Sequence, residues 1–144
     1  AYDNEYLLAV HPEEGGKASR RAAQDPTTEN VRYYLETHIY DQSQVTDELV
    51  EYIRGMITGR PDLAEARAKS SSTSYDHSPH MRNITAPTLV VWGRHDRMCQ
   101  FEIGINAFNL TPNAELVVLH TGHWTPFEKP SEYSSHVLNF LKRD

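Results

Sequence analysis

Two short apolar runs in the C-terminal part of the chain, Thr88 to Trp92 and Glu115 to Leu119, constrain the fold most strongly. Both runs are continuous rather than alternating, which is typical of strands buried on both faces of a parallel sheet. Amphipathic spacing predicts a helix between them, over Phe101 to Leu110, and another after them, over Pro130 to Leu141. The order strand, helix, strand, helix predicts an α/β fold with a parallel sheet.

Two parallel strands do not make a stable sheet alone, because both faces must be covered and further strands must pair with them. A chain of 144 residues usually forms one domain, but its hydrophobic content of 38% is low for a self-contained α/β core. The first residue is Ala1 rather than Met. We therefore expect a fragment or a processed chain, whose sheet is completed by a segment or partner chain outside this sequence.

Charge and composition exclude several classes of partner. The net charge of -6 argues against a nucleic-acid-binding surface and against an anionic membrane. No apolar run approaches the roughly 20 residues of a membrane-spanning helix, and no secretory signal is visible. The single cysteine, Cys99, excludes an internal disulfide and fits a reducing compartment, so we expect a cytoplasmic protein.

The N-terminal part is predicted to be helical after an initial loop. Residues 1–24, with their Gly15-Gly16 pair, are interpreted as loop, with short structure at Tyr6 to Val10 at most. A first helix begins near Asp25 to Thr28 and breaks at Tyr40 to Ser43. Further elements are a helix capped by Thr46 and ending near Gly59, a helix over Asp62 to Ala68, and a loop over Lys69 to Pro79.

One acidic and one imidazole side chain follow the two predicted strands. Asp96 comes shortly after the first run, and His123 follows Gly122 after the second. A carboxylate can fix the tautomer of a histidine that acts as general base, and an Asp before a His is the second half of a Ser…Asp…His system. No Gly-x-Ser-x-Gly occurs in the sequence, so the nucleophile is expected elsewhere. The alternative is that Asp96 caps a helix and His123 is solvated.

Three segments carry a resemblance to a known family: Pro87 to Arg97, Pro112 to Leu116, and Gly122-His123-Trp124. They resemble the C-terminal part of α/β-hydrolases. The Trp after the His, together with Ile39 to Ser43 and Val45 to Leu49, is similar to the meta-cleavage product hydrolases, which hydrolyse C–C bonds in aromatic-ring degradation. The resemblance covers residues 30–144. It implies a partial α/β-hydrolase fold, with a loop and helical cap over residues 1–83 and part of the core over 84–144.

The resemblance also implies an activity. Such enzymes ketonise a 2-hydroxy-6-oxo-hexa-2,4-dienoate and then cleave a C–C bond with water. Asp96 and His123 would act on a Ser nucleophile outside this sequence, while Trp124 and a cap Arg would hold the substrate. Ile53 aligns with the family Arg and Arg54 follows it, and one residue turns a helix by about 100°. A solvated charge is thus the alternative role of Arg54. The resemblance implies no cofactor or metal. The expected partners are a small-molecule substrate and the N-terminal half of the hydrolase. The sequence does not decide whether the protein forms homo-oligomers.

Other interpretations remain open from the sequence. The nucleophile could instead belong to an esterase, an epoxide hydrolase or a haloalkane dehalogenase, or the chain could be a catalytically incomplete hydrolase-like binding protein. The remaining candidates are interpreted as structural: His77 and His80 as a chance pair rather than a metal site, His95 as a loop residue, Cys99 as an inert packed thiol, and Tyr33, Tyr34 and Tyr40 as cap core.

Overall fold

The computed structural model describes residues 13–60, 62–63 and 78–143. Its N-terminal part is helical, and its C-terminal part combines two strands with helices. The helices are α1 (Glu13–Gln24), α2 (Thr28–His38), α3 (Asp47–Thr58), the short α4 (Ser78–Met81), α5 (Phe101–Leu110), α6 (Thr125–Glu128) and α7 (Pro130–Leu141), with a 3-10 turn at Gln42–Gln44.

The two strands pair in parallel, as the sequence predicts. Strand β1 (Thr88–Gly93) lies beside β2 (Ala114–Leu119), in a register that runs from Thr88 opposite Ala114 to Gly93 opposite Leu119. Helix α5 connects the strands and packs on both. Most strand residues stay half-exposed in the described part of the chain. The architecture is thus an α/β fold with a two-stranded part of a sheet.

Side-chain caps set where the N-terminal helices begin. The hydroxyl of Thr27 accepts a hydrogen bond from Asn30 N at 3.3 Å at the start of α2. Thr46 accepts one from Leu49 N at 3.2 Å at the start of α3, as its predicted N-cap role requires. Helix α2 ends at His38 because Ile39 adopts an extended conformation. The predicted starts and breaks of these two helices are therefore confirmed.

The core lies where α2 packs between α1 and α3. Its buried side chains come from all three helices and the turn between them: Ala22, Val31, Leu35, Ile39, Val45 and Val50. Trp124, from the loop after β2, packs against the same cluster. The helical part and the end of the sheet are therefore joined through one apolar cluster.

The prediction of a loop over residues 1–24 is wrong for Glu13–Gln24, which form α1. Ala18 and Ala22 lie four residues apart, and both are buried against α2. Their small side chains allow the two helices to approach closely. The first turn of α1 also contacts the loop after β1, where Gly15 N donates to Arg97 O at 3.1 Å. Tertiary packing therefore outweighs the low helix propensity of the Gly15-Gly16 pair.

Two shorter segments also differ from the sequence predictions. Ser78 and Pro79, which were predicted to lie in a loop, belong to α4, and no helix was predicted at the position of α6. The predicted structure at Tyr6 to Val10, most of the helix over Asp62 to Ala68 and most of the following loop lie outside the described residues. None of the described helices is long and apolar enough to cross a membrane.

Candidate active site

Asp96 lies in the loop after β1, and backbone groups of that loop hold its side chain. Its Oδ1 accepts hydrogen bonds from Met98 N and Cys99 N, both at 2.8 Å. These two bonds leave Oδ2 facing the second strand. The side chain is 5% exposed. Asp96 is therefore both a loop-capping residue and a buried carboxylate with one oxygen directed at a neighbour.

That neighbour is His123, in the loop after β2. Its Nδ1 lies 2.8 Å from Asp96 Oδ2, and its side chain is 34% exposed. The hydrogen bond that His123 donates to Asp96 is the main cause that raises the pKa of His123, and partial burial opposes it. Because a carboxylate oxygen accepts, Nδ1 carries the proton. Nε2 is then the nitrogen that can exchange a proton with a nucleophile or substrate.

Two glycines allow the loops to cross. A Cβ on Gly93 would lie 1.9 Å from Gly122 O, and a Cβ on Gly122 would lie 2.4 Å from His38 O. His123 N also donates to His38 O at 2.7 Å. The loops after both strands and the end of α2 therefore meet at one point, which places the imidazole beside the carboxylate.

Glu128 ties these segments together and was missed by the sequence analysis. The residue is buried in α6, and its Oε1 accepts from Gly122 N at 2.7 Å. Its Oε2 accepts from Tyr40 N at 2.9 Å and Asp41 N at 3.2 Å. A buried carboxylate is costly unless hydrogen-bonded, and here three backbone donors satisfy it. Nothing in the sequence distinguishes Glu128 from a solvated acid.

His38 is a second histidine in the site, and the sequence analysis did not single it out. It is 2% exposed, and its ring lies 5.5 Å from that of His123. Its Nδ1 lies 2.7 Å from the carbonyl oxygen of Tyr34, so that nitrogen carries a proton. Burial is the main cause that lowers the pKa of His38. The site thus pairs a histidine whose pKa is lowered by burial with one whose pKa is raised by a carboxylate.

A cavity of about 430 Å³ opens beside Trp124. Its described lining is largely apolar and comes from α1, α2 and α3, with Ala22, Tyr34 and Ile53 among its members. Arg60 supplies the charged group of this lining. The described lining includes Trp124, which follows His123 in the chain, but neither His123 nor Asp96.

Arg54 is not brought together with the other predicted site residues. Its Nε donates to Glu51 Oε2 at 2.8 Å. Glu51 in turn accepts from the hydroxyl of Thr28 at 2.8 Å. Ile53, one position earlier, lines the cavity. The hydrogen bond between Thr28 and Glu51 thus joins the start of α2 to α3, and the substrate-binding role of Arg54 stays a prediction.

The other candidates that the structure describes do not form a site with three or more metal ligands. Among the described residues, no group of three or more His, Cys, Asp or Glu could hold a metal ion. His77 lies outside the described residues. Cys99 is a half-buried free cysteine, and burial raises the pKa of its thiol, which disfavours the reactive thiolate.

Comparisons with known proteins give hydrolases as similar proteins. No family model matches the chain. A 2-hydroxy-6-oxononadienedioate/2-hydroxy-6-oxononatrienedioate hydrolase from Burkholderia vietnamiensis is 35% identical over 137 residues, covering 92% of this chain and 48% of the relative. The protein of the same name from Cupriavidus pinatubonensis is 31% identical over 140 residues, covering 94% and 48%. The chain therefore spans about half the length of the curated relatives it matches.

The solved structures that are similar to this chain are also α/β-hydrolases. A mutant of the meta-cleavage product hydrolase CumD superposes with a TM-score of 0.74 at 25% identity, covering 89% of this chain and 49% of that one. Esterases and other α/β-hydrolases match at lower identity and support the fold alone. The chain has part of the α/β-hydrolase fold and resembles the meta-cleavage product hydrolases.

Proposed function

From this resemblance we propose that the chain supplies the acid–base part of a C–C bond hydrolase. Its substrate would be a 2-hydroxy-6-oxo-hexa-2,4-dienoate, the class produced by meta-cleavage of aromatic rings. One observation carries the proposal: the 2.8 Å contact between His123 Nδ1 and Asp96 Oδ2. Trp124, the residue after His123, lines the cavity. The serine nucleophile would come from a segment outside this sequence.

The geometry supports a division of roles between the two side chains. His123 Nε2 takes the proton of the serine hydroxyl or of a water, and Asp96 stabilises the imidazolium that forms. The substrate dienol is first ketonised, and water then cleaves the C–C bond beside the ketone. The products are a carboxylic acid and a 2-hydroxypentadienoate. The raised pKa of His123 suits a group that accepts and returns a proton in each cycle.

Trp124 and the cavity are the proposed binding site for the dienoate. The indole packs at 6.2 Å from the ring of Tyr34 and at 5.8 Å from that of Phe127, in edge-on geometry. These contacts hold a flat apolar wall beside His123. A conjugated dienoate chain is flat and apolar apart from its carboxylate, so this wall complements it.

We propose Arg54 as the cation for the substrate carboxylate, because an ionised carboxylate in an apolar cavity is costly unless paired. To bind the substrate, Arg54 must break its ion pair with Glu51 and pair with the substrate carboxylate instead. Replacing Arg54 by glutamine in the assembled enzyme is expected to raise KM by about 10–150-fold, the equivalent of one charged hydrogen bond. Steady-state kinetics on the dienoate would measure this.

Arg60 provides the matched control, since it lines the cavity and pairs with Asp62 at 2.7 Å. If Arg60→Gln raised KM and Arg54→Gln did not, the carboxylate would bind Arg60 and the role of Arg54 would be refuted. If neither variant changed KM, the cation would come from outside this sequence.

The proposed function is tested by reconstitution. The 144-residue chain alone is expected to show no turnover of a dienoate, because His123 has no serine hydroxyl to activate. Joining it to the N-terminal half of the Burkholderia vietnamiensis relative is expected to give activity, followed as loss of dienolate absorbance. A copy with the relative's nucleophile replaced by alanine is the control.

Other outcomes would assign a different activity. Turnover by the chain alone would refute the need for a nucleophile from outside. A reconstituted protein that hydrolyses p-nitrophenyl acetate but no dienoate would be an esterase. Binding without turnover of either compound would favour a hydrolase-like binding protein.

We also propose that the enzyme acts in the cytoplasm, since Cys99 is the single cysteine. Its proposed partner is the N-terminal half of the hydrolase.

A further inference from the structure

A second pair of histidines lies at the same edge of the sheet, outside the catalytic pair. His95 follows β1 and His120 follows β2, and their Nε2 atoms are 3.1 Å apart. The backbone fixes them opposite each other, because the parallel pairing continues past the strands. Arg94 N donates to Leu119 O at 2.8 Å, and His95 N donates to Thr121 O at 2.9 Å.

The rings are also held in place. Tyr40 stacks on His95 with a centroid distance of 3.9 Å and an interplanar angle of 12°. The same tyrosine meets His120 edge-on at 4.8 Å. The two imidazoles are therefore positioned before any ligand binds, which lowers the entropic cost of binding one.

We propose that His95 and His120 form a two-histidine site for a first-row transition-metal dication such as Zn²⁺, Cu²⁺ or Ni²⁺. With metal–nitrogen bonds of about 2.05 Å, nitrogen atoms 3.1 Å apart subtend an angle of about 98° at the metal. This value lies between the right angle of square-planar or octahedral sites and the tetrahedral angle. Imidazole nitrogens favour these metals over Mg²⁺ and Ca²⁺, which prefer oxygen.

The surroundings indicate an exchangeable site rather than a structural one. His120 is exposed and His95 is half-buried, so a metal can reach both rings and keep water in its remaining positions. The described residues supply no third His, Cys, Asp or Glu to such a group. The affinity should accordingly be modest and should follow the order Cu²⁺ above Ni²⁺ and Zn²⁺.

Binding would have a consequence for the neighbouring loops. His95 immediately precedes Asp96, and His120 lies three residues before His123. A metal held by both would cross-link the two loops that carry the proposed acid and base. Because the metal binds the folded chain through both loops, it should raise the melting temperature. This inference does not depend on the proposed function.

The test is a titration of the full 144-residue chain, stripped with chelator, with ZnCl₂ and NiCl₂ in a calorimeter. One equivalent of metal ion is expected to bind. His95→Ala and His120→Ala are each expected to raise the dissociation constant at least about tenfold. His136, on α7, is the matched control, and His136→Ala should leave the constant unchanged. MgCl₂ should give no binding.

A second measurement uses the unaltered chain, so a folding defect in a variant does not affect it. Small amounts of Cu²⁺ should broaden the imidazole NMR signals of His95 and His120 before those of His80 and His136. Equal dissociation constants for the unaltered chain and both alanine variants would overturn the proposal, as would first broadening at other histidines. Failure of the chain to bind Zn²⁺ or Ni²⁺ at millimolar concentration would show that the pair only shares a hydrogen bond.

Discussion

His123→Ala and Asp96→Asn are each expected to lower kcat of the reconstituted hydrolase by about 10³–10⁴, as in enzymes with a Ser-His-Asp triad. Removal of the imidazole leaves no group to take the nucleophile's proton. In the unaltered chain, Asp96 Oδ2 lies 2.8 Å from His123 Nδ1 and accepts its hydrogen bond. In Asp96→Asn the amide NH₂ group would take the position of Oδ2 and could not accept this bond. The imidazole then adopts the wrong tautomer. Single-turnover and steady-state assays on the dienoate would measure both losses.

The asparagine variant separates catalysis from folding. Its remaining carbonyl oxygen can still accept from Met98 N and Cys99 N, which Asp96 Oδ1 now does. The loop should therefore keep its conformation and the chain its melting temperature. The pKa of His123 should fall, because the hydrogen bond that it donates to the Asp96 carboxylate is the main cause that raises this pKa. NMR titration of the imidazole would show this; near-full activity in Asp96→Asn would leave Asp96 as a capping residue only.

Glu128→Ala is expected to destabilise the chain by about 3 kcal/mol, since three backbone donors would lose a charged acceptor. Gly122 N, Tyr40 N and Asp41 N all bond to this carboxylate. A loss of that size lowers the melting temperature by roughly 6–12 °C in a chain of this length. The loop of His123 would also separate from the end of α2, so activity should fall even below the unfolding transition. Thermal unfolding followed by circular dichroism would measure the loss.

Glu132 offers the matched control on the neighbouring helix. It pairs with Lys129 at 3.0 Å and is largely exposed, so Glu132→Ala should change stability by at most about 0.5 kcal/mol. Glu128→Gln should lie between the two, because an amide oxygen can replace only one of the two carboxylate acceptors. Equal melting temperatures for the Glu128 and Glu132 variants would show that the buried carboxylate does not hold the site together.

The sequence determined the elements whose signals are local. Continuous apolar runs located β1 and β2, hydroxyl caps located the starts of α2 and α3, and helical spacing located α5 and α7. The chain order of Asp96 and His123 predicted their proximity, because the carboxyl ends of parallel strands meet at one edge of a sheet. The structure brings the two within a hydrogen bond. Their catalytic roles and that of Trp124 stay predictions.

Only the tertiary structure decided what depends on contacts between distant segments. Helix α1 forms despite Gly15-Gly16 because Ala18 and Ala22 are buried against α2, and no local pattern carries that information. Glu128 and His38 look like ordinary polar residues until α6 and the end of α2 enclose them. The side chain of Arg54 is oriented by its hydrogen bond to Glu51, which also accepts one from Thr28. Propensity and periodicity describe single segments, whereas burial, cavities and the environment of a titratable group arise only when segments pack.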